Sequence, residues 1–315
     1  MAVLSAGFYL GVVSGPEELA WFLEVLIAGL LSGVMYSLVA LGFVLIFKAS
    51  GVFNFAQGAM VLFAALTFAR FLEMGINFWF AAAITLFIMV VLAVIIERVM
   101  LRPLVAQPVI ILFMATIGLN YFLEGLAQGV WDTQVHALDL GIEDVPWQSV
   151  MDATNILISL FDVWAAVICG VLVLVLAFFF QKGRIGRALR AVADDNQAAM
   201  SVGIPLQMIW AIVWATAGLV ALVAGALWGQ RLGVQFSISL VALKALPVLI
   251  LGGFNSIAGA IIGGLIIGAA EKLAEVYLGP IIGGEIEAWF AYFIAMLFLM
   301  FRPHGLFGEE LIERV

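Results

Sequence analysis

Apolar residues in this chain fall into long continuous runs separated by short polar breaks. None of the runs shows the apolar–polar alternation over about ten positions that marks a barrel strand. A helical crossing of a bilayer needs about 20 mostly apolar residues. Seven segments meet or approach that length: Phe22–Phe47, Val52–Ala69, Phe78–Ile96, Val109–Leu126, Ile156–Phe180, Met208–Trp228 and the shorter Ala288–Phe301. A further region, Leu240–Leu278, is too long for one helix and is cut by Gly252-Gly253-Phe254-Asn255, which predicts a short piece, Val241–Leu251, followed by a helix over Ser256–Ala274. The expected fold is all-α: one polytopic transmembrane bundle over residues 1–315, with eight or nine crossings and a broken helix pair near 241–274.

Composition excludes the soluble alternatives. Of 315 residues 65% are hydrophobic before 32 glycines are added, 11% are charged, and the mean hydropathy is +1.21. Soluble domains average about 45–50% apolar with glycine counted and about 25% charged. Cys169 is the single cysteine, so no intrachain disulfide exists, and its apolar run gives it an inert packing role.

The net charge of −8 becomes informative once it is divided between the two sides of a membrane. Lys and Arg accumulate on the cytoplasmic side. Lys182, Arg184, Arg187 and Arg190 in the 181–204 loop, with Arg98 and Arg102, place those connections inside. Alternation then puts the amino terminus outside and the 302–315 tail, with Arg302 and Arg314, inside, as in a multi-pass membrane protein. Glu17, Glu18, Asp132, Asp139, Glu143, Asp144, Asp152, Glu285 and Glu287 fall outside, which leaves no surface there for nucleic acid. Residues 1–20 have no basic residue ahead of the apolar stretch Ala6–Val13 and read as an extracytoplasmic interfacial segment.

A sequence echo links two breaks. Gly51-Val52-Phe53-Asn54-Phe55-Ala56-Gln57-Gly58-Ala59 returns as Gly252-Gly253-Phe254-Asn255-Ser256-Ile257-Ala258-Gly259-Ala260. Both copies are expected to turn at the cytoplasmic side, each Asn capping the rising helix. Backbone breaks at membrane depth persist only when buried in protein or lining a cavity.

Enzyme chemistry lacks a constellation. His136 and His304 are expected on opposite sides, and a catalytic metal wants at least three convergent ligands. No phosphate-binding Gly-x-x-x-x-Gly-Lys-Ser/Thr occurs, so no metal or cofactor site is expected and any ATP must be hydrolysed by another chain. Ionisable groups inside the spans are limited, on this reading, to Glu24, Glu124, Asp162 and Lys244, the first three near the outer ends, which disfavours proton-coupled transport. Uncharged polar residues are the better candidates for a translocation path: Tyr36, Ser37, Asn54, Gln57, Asn120 and Asn255, with Asn54 and Gln57 on one helical face. The competing role for each is a bond between neighbouring helices. Gly259, Gly263, Gly264 and Gly268 have the Gly-x-x-x-Gly spacing that lets backbones approach, either within the chain or against a second membrane subunit.

The 181–204 loop carries the strongest local signal. Arg187–Val192 is a basic turn or two of helix, Asp194, Asp195 and Asn196 are helix starters for Gln197–Val202, and Gly203 is a stop. Such a capped helix suits docking on a cytoplasmic partner, with anchoring to membrane lipid headgroups as the alternative.

Gln197-Ala198-Ala199-Met200-Ser201-Val202-Gly203 resembles the Glu-Ala-Ala-x-x-x-Gly loop of ABC importer permeases. Together with Leu38–Phe47, Gly51–Gly58, Arg98–Pro103, Gly183–Ile204, Leu251–Gly264 and Phe301–Phe307, it makes the chain similar to the branched-chain amino-acid permease family over nearly its whole length. The resemblance implies a second, homologous permease, two ATPase subunits binding ATP and Mg²⁺, and an extracytoplasmic solute-binding protein as partners. It makes Arg187, Arg190, Asp194, Asp195, Asn196, Gln197, Ala198, Ala199 and Gly203 the segment that couples to an ATPase. Gln57 stands where the family commonly has His, and Gln197 where it has Glu. Relatives carry urea, short amides or other small solutes as well as Leu, Ile and Val, and a stand-alone channel for such a neutral solute is the second functional reading.

Overall fold

The computed structural model describes residues 16–104, 107–194 and 196–308; residues 1–15, 105–106, Asp195 and the tail beyond Gly308 lie outside the described residues. Among the described residues, helix forms wherever a long apolar run occurs. In chain order the helices are α1 (Pro16–Ser50), α2 (Gln57–Glu73), α3 (Phe78–Ile95), α4 (Val109–Trp131), α5 (Gln148–Thr154), α6 (Leu160–Lys182) and α7 (Arg184–Asp194). They continue as α8 (Asn196–Ser201), α9 (Leu206–Leu232), α10 (Val241–Gly252), α11 (Ile257–Tyr277), α12 (Gly279–Ile282) and α13 (Glu287–Phe301). Six of these, α1, α3, α4, α6, α9 and α11, are long and apolar enough to cross a bilayer, and α2, α10 and α13 are shorter apolar helices. Residues 16–20, expected in a separate interfacial segment, are instead the first turns of α1.

α1 is the axis of the bundle. A helix apolar on every side belongs in a core, and α1 is buried without interruption from Met35 to Ile46. α11 lies along it because glycines remove the side chains between the two backbones: a Cβ on Gly29 would stand 2.7 Å from the carbonyl oxygen of Gly268, and one on Gly264 would stand 2.7 Å from that of Gly33. Gly263 meets the Val248 carbonyl of α10 in the same way, at 2.7 Å, and Gly259 packs on Gly252. The four glycines of this face are therefore filled by the chain's own helices, which corrects the option that they meet a second subunit.

Local chemistry sets the helix starts. The Asn77 side chain accepts from Trp79 N at 3.1 Å, and Ser159 accepts from Phe161 N at 3.1 Å. The two echoed breaks lie side by side, with the Phe53 and Phe254 rings 6.3 Å apart, but their asparagines differ from expectation. Asn54 Oδ1 accepts from Ala56 N at 3.1 Å and closes a turn ahead of α2. At the second break Ser256 is the cap, accepting from Gly259 N at 3.0 Å, while Asn255 lends only its main-chain oxygen to Lys48 Nζ at 3.4 Å. Ser256 wins because a hydroxyl one residue closer to the helix reaches the same unpaired amide.

The two ends of the bundle differ in charge. Lys48, Arg102 and Arg190 gather at one, the basic end, where Arg102 bonds Gln207. At the other, acidic end, His136 pairs its backbone with Val234 at 3.0 and 2.8 Å and sets its ring between Glu73, at 2.8 Å, and Asp132, at 3.1 Å. Asp132 ionises below the usual carboxylate range, held there first by the backbone N–H of Gln134 and then by the His136 ring and Arg70. α2 begins deep within the bundle rather than at its edge. Gln57 Nε2 reaches the carbonyl oxygen of Ala217 at 3.5 Å, a residue about 16 Å along α9 from its basic end.

Candidate functional site

The outward faces of the peripheral helices differ in chemistry. α6 bares Trp164, Val167, Ile168, Val171, Leu174, Val175 and Phe178, one stripe at helical spacing. α3 does the same with Phe80, Ile84, Phe87, Val91 and Val94. Both stripes are wholly apolar. α4 is comparably bare, yet Thr116, Asn120, Glu124 and Gln128 recur every four residues along one side of it. Residues four apart on a helix are stacked neighbours, so the side chains form a polar track along the span.

The track borders two cavities. Asn120 and Glu124 line one of about 280 Å³, opposite Ser239, Leu240 and Leu243 and against Phe43, Phe53 and Phe55. Gln128 and Asp132 line another of about 250 Å³ at the acidic end, with Gln134, Gln235 and Phe236. Toward the basic end the first cavity stops on a floor of packed rings. Phe43 and Phe53 are 4.7 Å apart, Phe53 and Phe55 4.7 Å, and Phe55 and Phe113 4.8 Å. Phe254, from the second break, adds an edge contact to Phe53 and lies 5.4 Å from Phe47. Aromatic pairs in such offset and edge geometries add about 0.5–1.5 kcal/mol each beyond burial, and here the two echoed turns meet through them.

The residues expected along a path separate into four groups. Asn120 is half-buried and lines the central cavity. Ser37, Asn54 and Gln57 are buried and give their polar atoms to the chain: Ser37 Oγ donates to the Gly33 and Ile261 carbonyls, and Asn54 Nδ2 donates to Gln57 Oε1 at 3.4 Å. Asn255 borders a cavity at the basic end, between Lys48 and Arg190. Tyr36 stacks on Trp228 at 5.7 Å and donates to Glu271 Oε1 at 3.3 Å.

That tyrosine opens onto a charged cluster that sequence reasoning missed. Lys244 Nζ lies 2.8 Å from Glu271 and 3.0 Å from Glu287, and Lys272 lies 2.9 Å from Glu287. The expected census of ionisable groups in the spans is thus corrected: α11 contributes Glu271, only 1% exposed, and Lys272, while Glu287 sits in the first turn of α13. The signal was present as an adjacent Glu-Lys pair inside an otherwise apolar run. Glu124 and Gln128 were also given no role, although the four-residue spacing from Thr116 marks both. Glu24 and Asp162 stand at the acidic end, where Glu24 accepts from Leu157 N at 2.9 Å and Asp162 pairs with Arg231 at 2.7 Å.

At the basic end the loop folds as α7 followed by the short α8, and Gly203 ends it with φ +86°. Arg190 donates to the Phe180 and Gln181 carbonyls at 3.1 and 3.2 Å, and Arg187 to that of Lys182 at 3.1 Å. Both arginines therefore close the open carbonyls at the end of α6, a favourable place for cations, and bind α7 to that span. Ala199 is buried, whereas Asp194 and Ala198 are exposed. Asn196 and Gln197 supply backbone to α8. Asn255, beside the aromatic floor, borders the same cavities as Arg190 and Asp194, so the loop and the floor adjoin.

The sequence family described as "Branched-chain amino acid transport system / permease component" matches residues 25–301. The chain is 30% identical over 313 residues to the high-affinity branched-chain amino acid transport system permease protein LivH of Escherichia coli (strain K12), covering 95% of this chain and 99% of that protein. It is 29% identical over 310 residues to the corresponding permease protein BraD of Pseudomonas aeruginosa, with the same 95% and 99% coverage. Among solved structures it is similar to PsaBC from Streptococcus pneumoniae in complex with Fab, at 17% identity, a TM-score of 0.46, and coverage of 88% of this chain and 90% of that chain.

Proposed function

The chain belongs to the branched-chain amino acid transport system permease family, and from that premise we propose that it is the membrane-spanning subunit of an ATP-driven importer for branched-chain amino acids or a closely related small polar solute. The observation that carries this reading is the polar track of α4, bordered by cavities from the acidic end inward and stopped by the phenylalanine floor. Polar groups at membrane depth must face protein or water. The track side of α4 accordingly meets a second permease across a solute path, while α3 and α6 meet lipid. The basic end lies in the cytoplasm, as the distribution of Lys and Arg favours, and the amino terminus lies outside.

Two ATPase subunits, holding ATP and Mg²⁺, engage the α7–α8 segment, and a solute-binding protein loads the acidic end. Force on α7 passes through Arg190 to α6 and, across the shared cavity, to the turn at Asn255. Opening then requires the rings on the two turns to part. The test is uptake of radiolabelled leucine into proteoliposomes. The complex with its ATPases should concentrate leucine only with ATP, and the purified single chain should pass none; solute flux through the single chain without ATP would favour the channel.

A further inference from the structure

The cavity beside α4 holds two polar side chains that the fold itself does not use. Asn120 and Glu124 stand one helical turn apart on its wall, and neither side chain has a hydrogen-bond or ion-pair partner among the described residues. Asp162, Glu271 and Glu287, by contrast, are all paired with lysine or arginine. Glu124 lies about 10 Å along α4 from its acidic end, within the depth of the hydrocarbon. A carboxylate left there without a partner is costly, and the cost is recovered only when something cationic approaches it.

The rest of the wall defines that cation. Phe43, Phe53, Phe55, Ile117, Leu243 and Leu246 form an aliphatic and aromatic surface, and the cavity, at about 280 Å³, is of small-molecule size. We infer that Glu124 is the ammonium anchor of the path: it selects a solute with a protonated amine at one end and a branched apolar group at the other. The amine offers a full charge and three donors to the carboxylate. Phe55 and Tyr121 line the same cavity, and aromatic rings near an ammonium add to its attraction. Asn120, one turn toward the floor, can donate its amide N–H groups to a carboxylate on the solute. Urea and neutral amides lack the charge, and a simple carboxylate is repelled. The inference rests on the importer reading above and narrows its substrate class to amine-bearing solutes.

The test uses the assembled complex with Cys169→Ala, and Ile117→Cys as a reporter in the cavity wall. Labelling by a water-soluble thiol reagent is measured with leucine, isopentylamine, 4-methylpentanamide or 4-methylpentanoate present. Leucine and isopentylamine should protect the reporter, and the amide and the acid should not. Adding Glu124→Gln should weaken protection by about tenfold or more in concentration, the worth of a charge-assisted hydrogen bond, while Glu124→Asp should keep most of it. Equal protection by all four compounds, none by the amines, or unchanged protection in Glu124→Gln would overturn the assignment. ATP-driven leucine uptake is measured on the same preparation without the reporter. Failure of uptake with amine protection intact would reject the importer reading and leave the anchor standing; uptake without amine protection would reject the anchor alone.

Discussion

α4 and α6 are helices of the same length on the surface of one bundle, and both are largely bare of cover from the chain itself. On α6 the bare stripe from Trp164 to Phe178 is wholly apolar. On α4 Asn120, Glu124 and Gln128 occur at helical spacing beside bare residues such as Met114 and Phe122. Exposure alone therefore says nothing about use. In a bilayer the price of a polar group tells which bare face is covered by lipid and which by water or protein.

The comparison can be broken at several points. The largest effect is expected where the polar side is most deeply committed. Lys244→Met leaves Glu271 buried without its cation, a change that typically costs about 3–5 kcal/mol. Thermal unfolding in detergent should report it, and changing Glu271 to Gln as well should recover much of the loss. Next is the direct contrast between walls. Leu174→Arg places a charge among lipid tails at about 2.5–3.5 kcal/mol and should cut membrane-integrated yield, whereas Tyr121→Arg beside the α4 track should not. Equal yields would dissolve the distinction between the walls.

A smaller effect is expected at the basic end. Arg190→Glu removes hydrogen bonds to Phe180 and Gln181 worth about 1.5–3 kcal/mol each at most, so uptake per ATP hydrolysed should fall while the protein still inserts. The smallest lies at the acidic mouth of the track. The native state holds the Asp132 carboxyl below its usual range, so its stabilising contribution is complete above that range and is lost as the pH falls through it. Asp132→Asn should make melting less dependent on pH on the acid side only.

Much of the frame was legible in the chain itself. The apolar runs located every long helix, Gly252-Gly253-Phe254-Asn255 marked the break between α10 and α11, and Gly203 marked the end of α8. The boundaries shifted by a few residues, as at α4, which runs on to Trp131 rather than ending at Leu126. What stayed hidden was direction. The helical face expected to hold both Asn54 and Gln57 does not form: Asn54 lies in the turn ahead of α2, and both side chains turn into the core of the bundle, where Gln57 reaches α9. Glu271 escaped notice because an adjacent Glu-Lys pair near the end of an apolar run does not lower the hydropathy enough to interrupt it. Whether a polar side chain looks into a cavity or into a neighbouring helix depends on how the apolar helices pack, and periodicity within one of them carries no such information.

The central claim is that the α4 track is wet and moves with the transport cycle, while α6 faces lipid. Single cysteines at positions 120, 128, 168 and 174, each in a Cys169→Ala background, can be reacted with a membrane-impermeant thiol reagent in the assembled complex, with and without a nucleotide-trapped state. The account predicts rapid labelling at 120 and 128 that changes on trapping, and none at 168 and 174. Uniformly slow labelling at all four positions, or labelling on α4 indifferent to nucleotide, would contradict it.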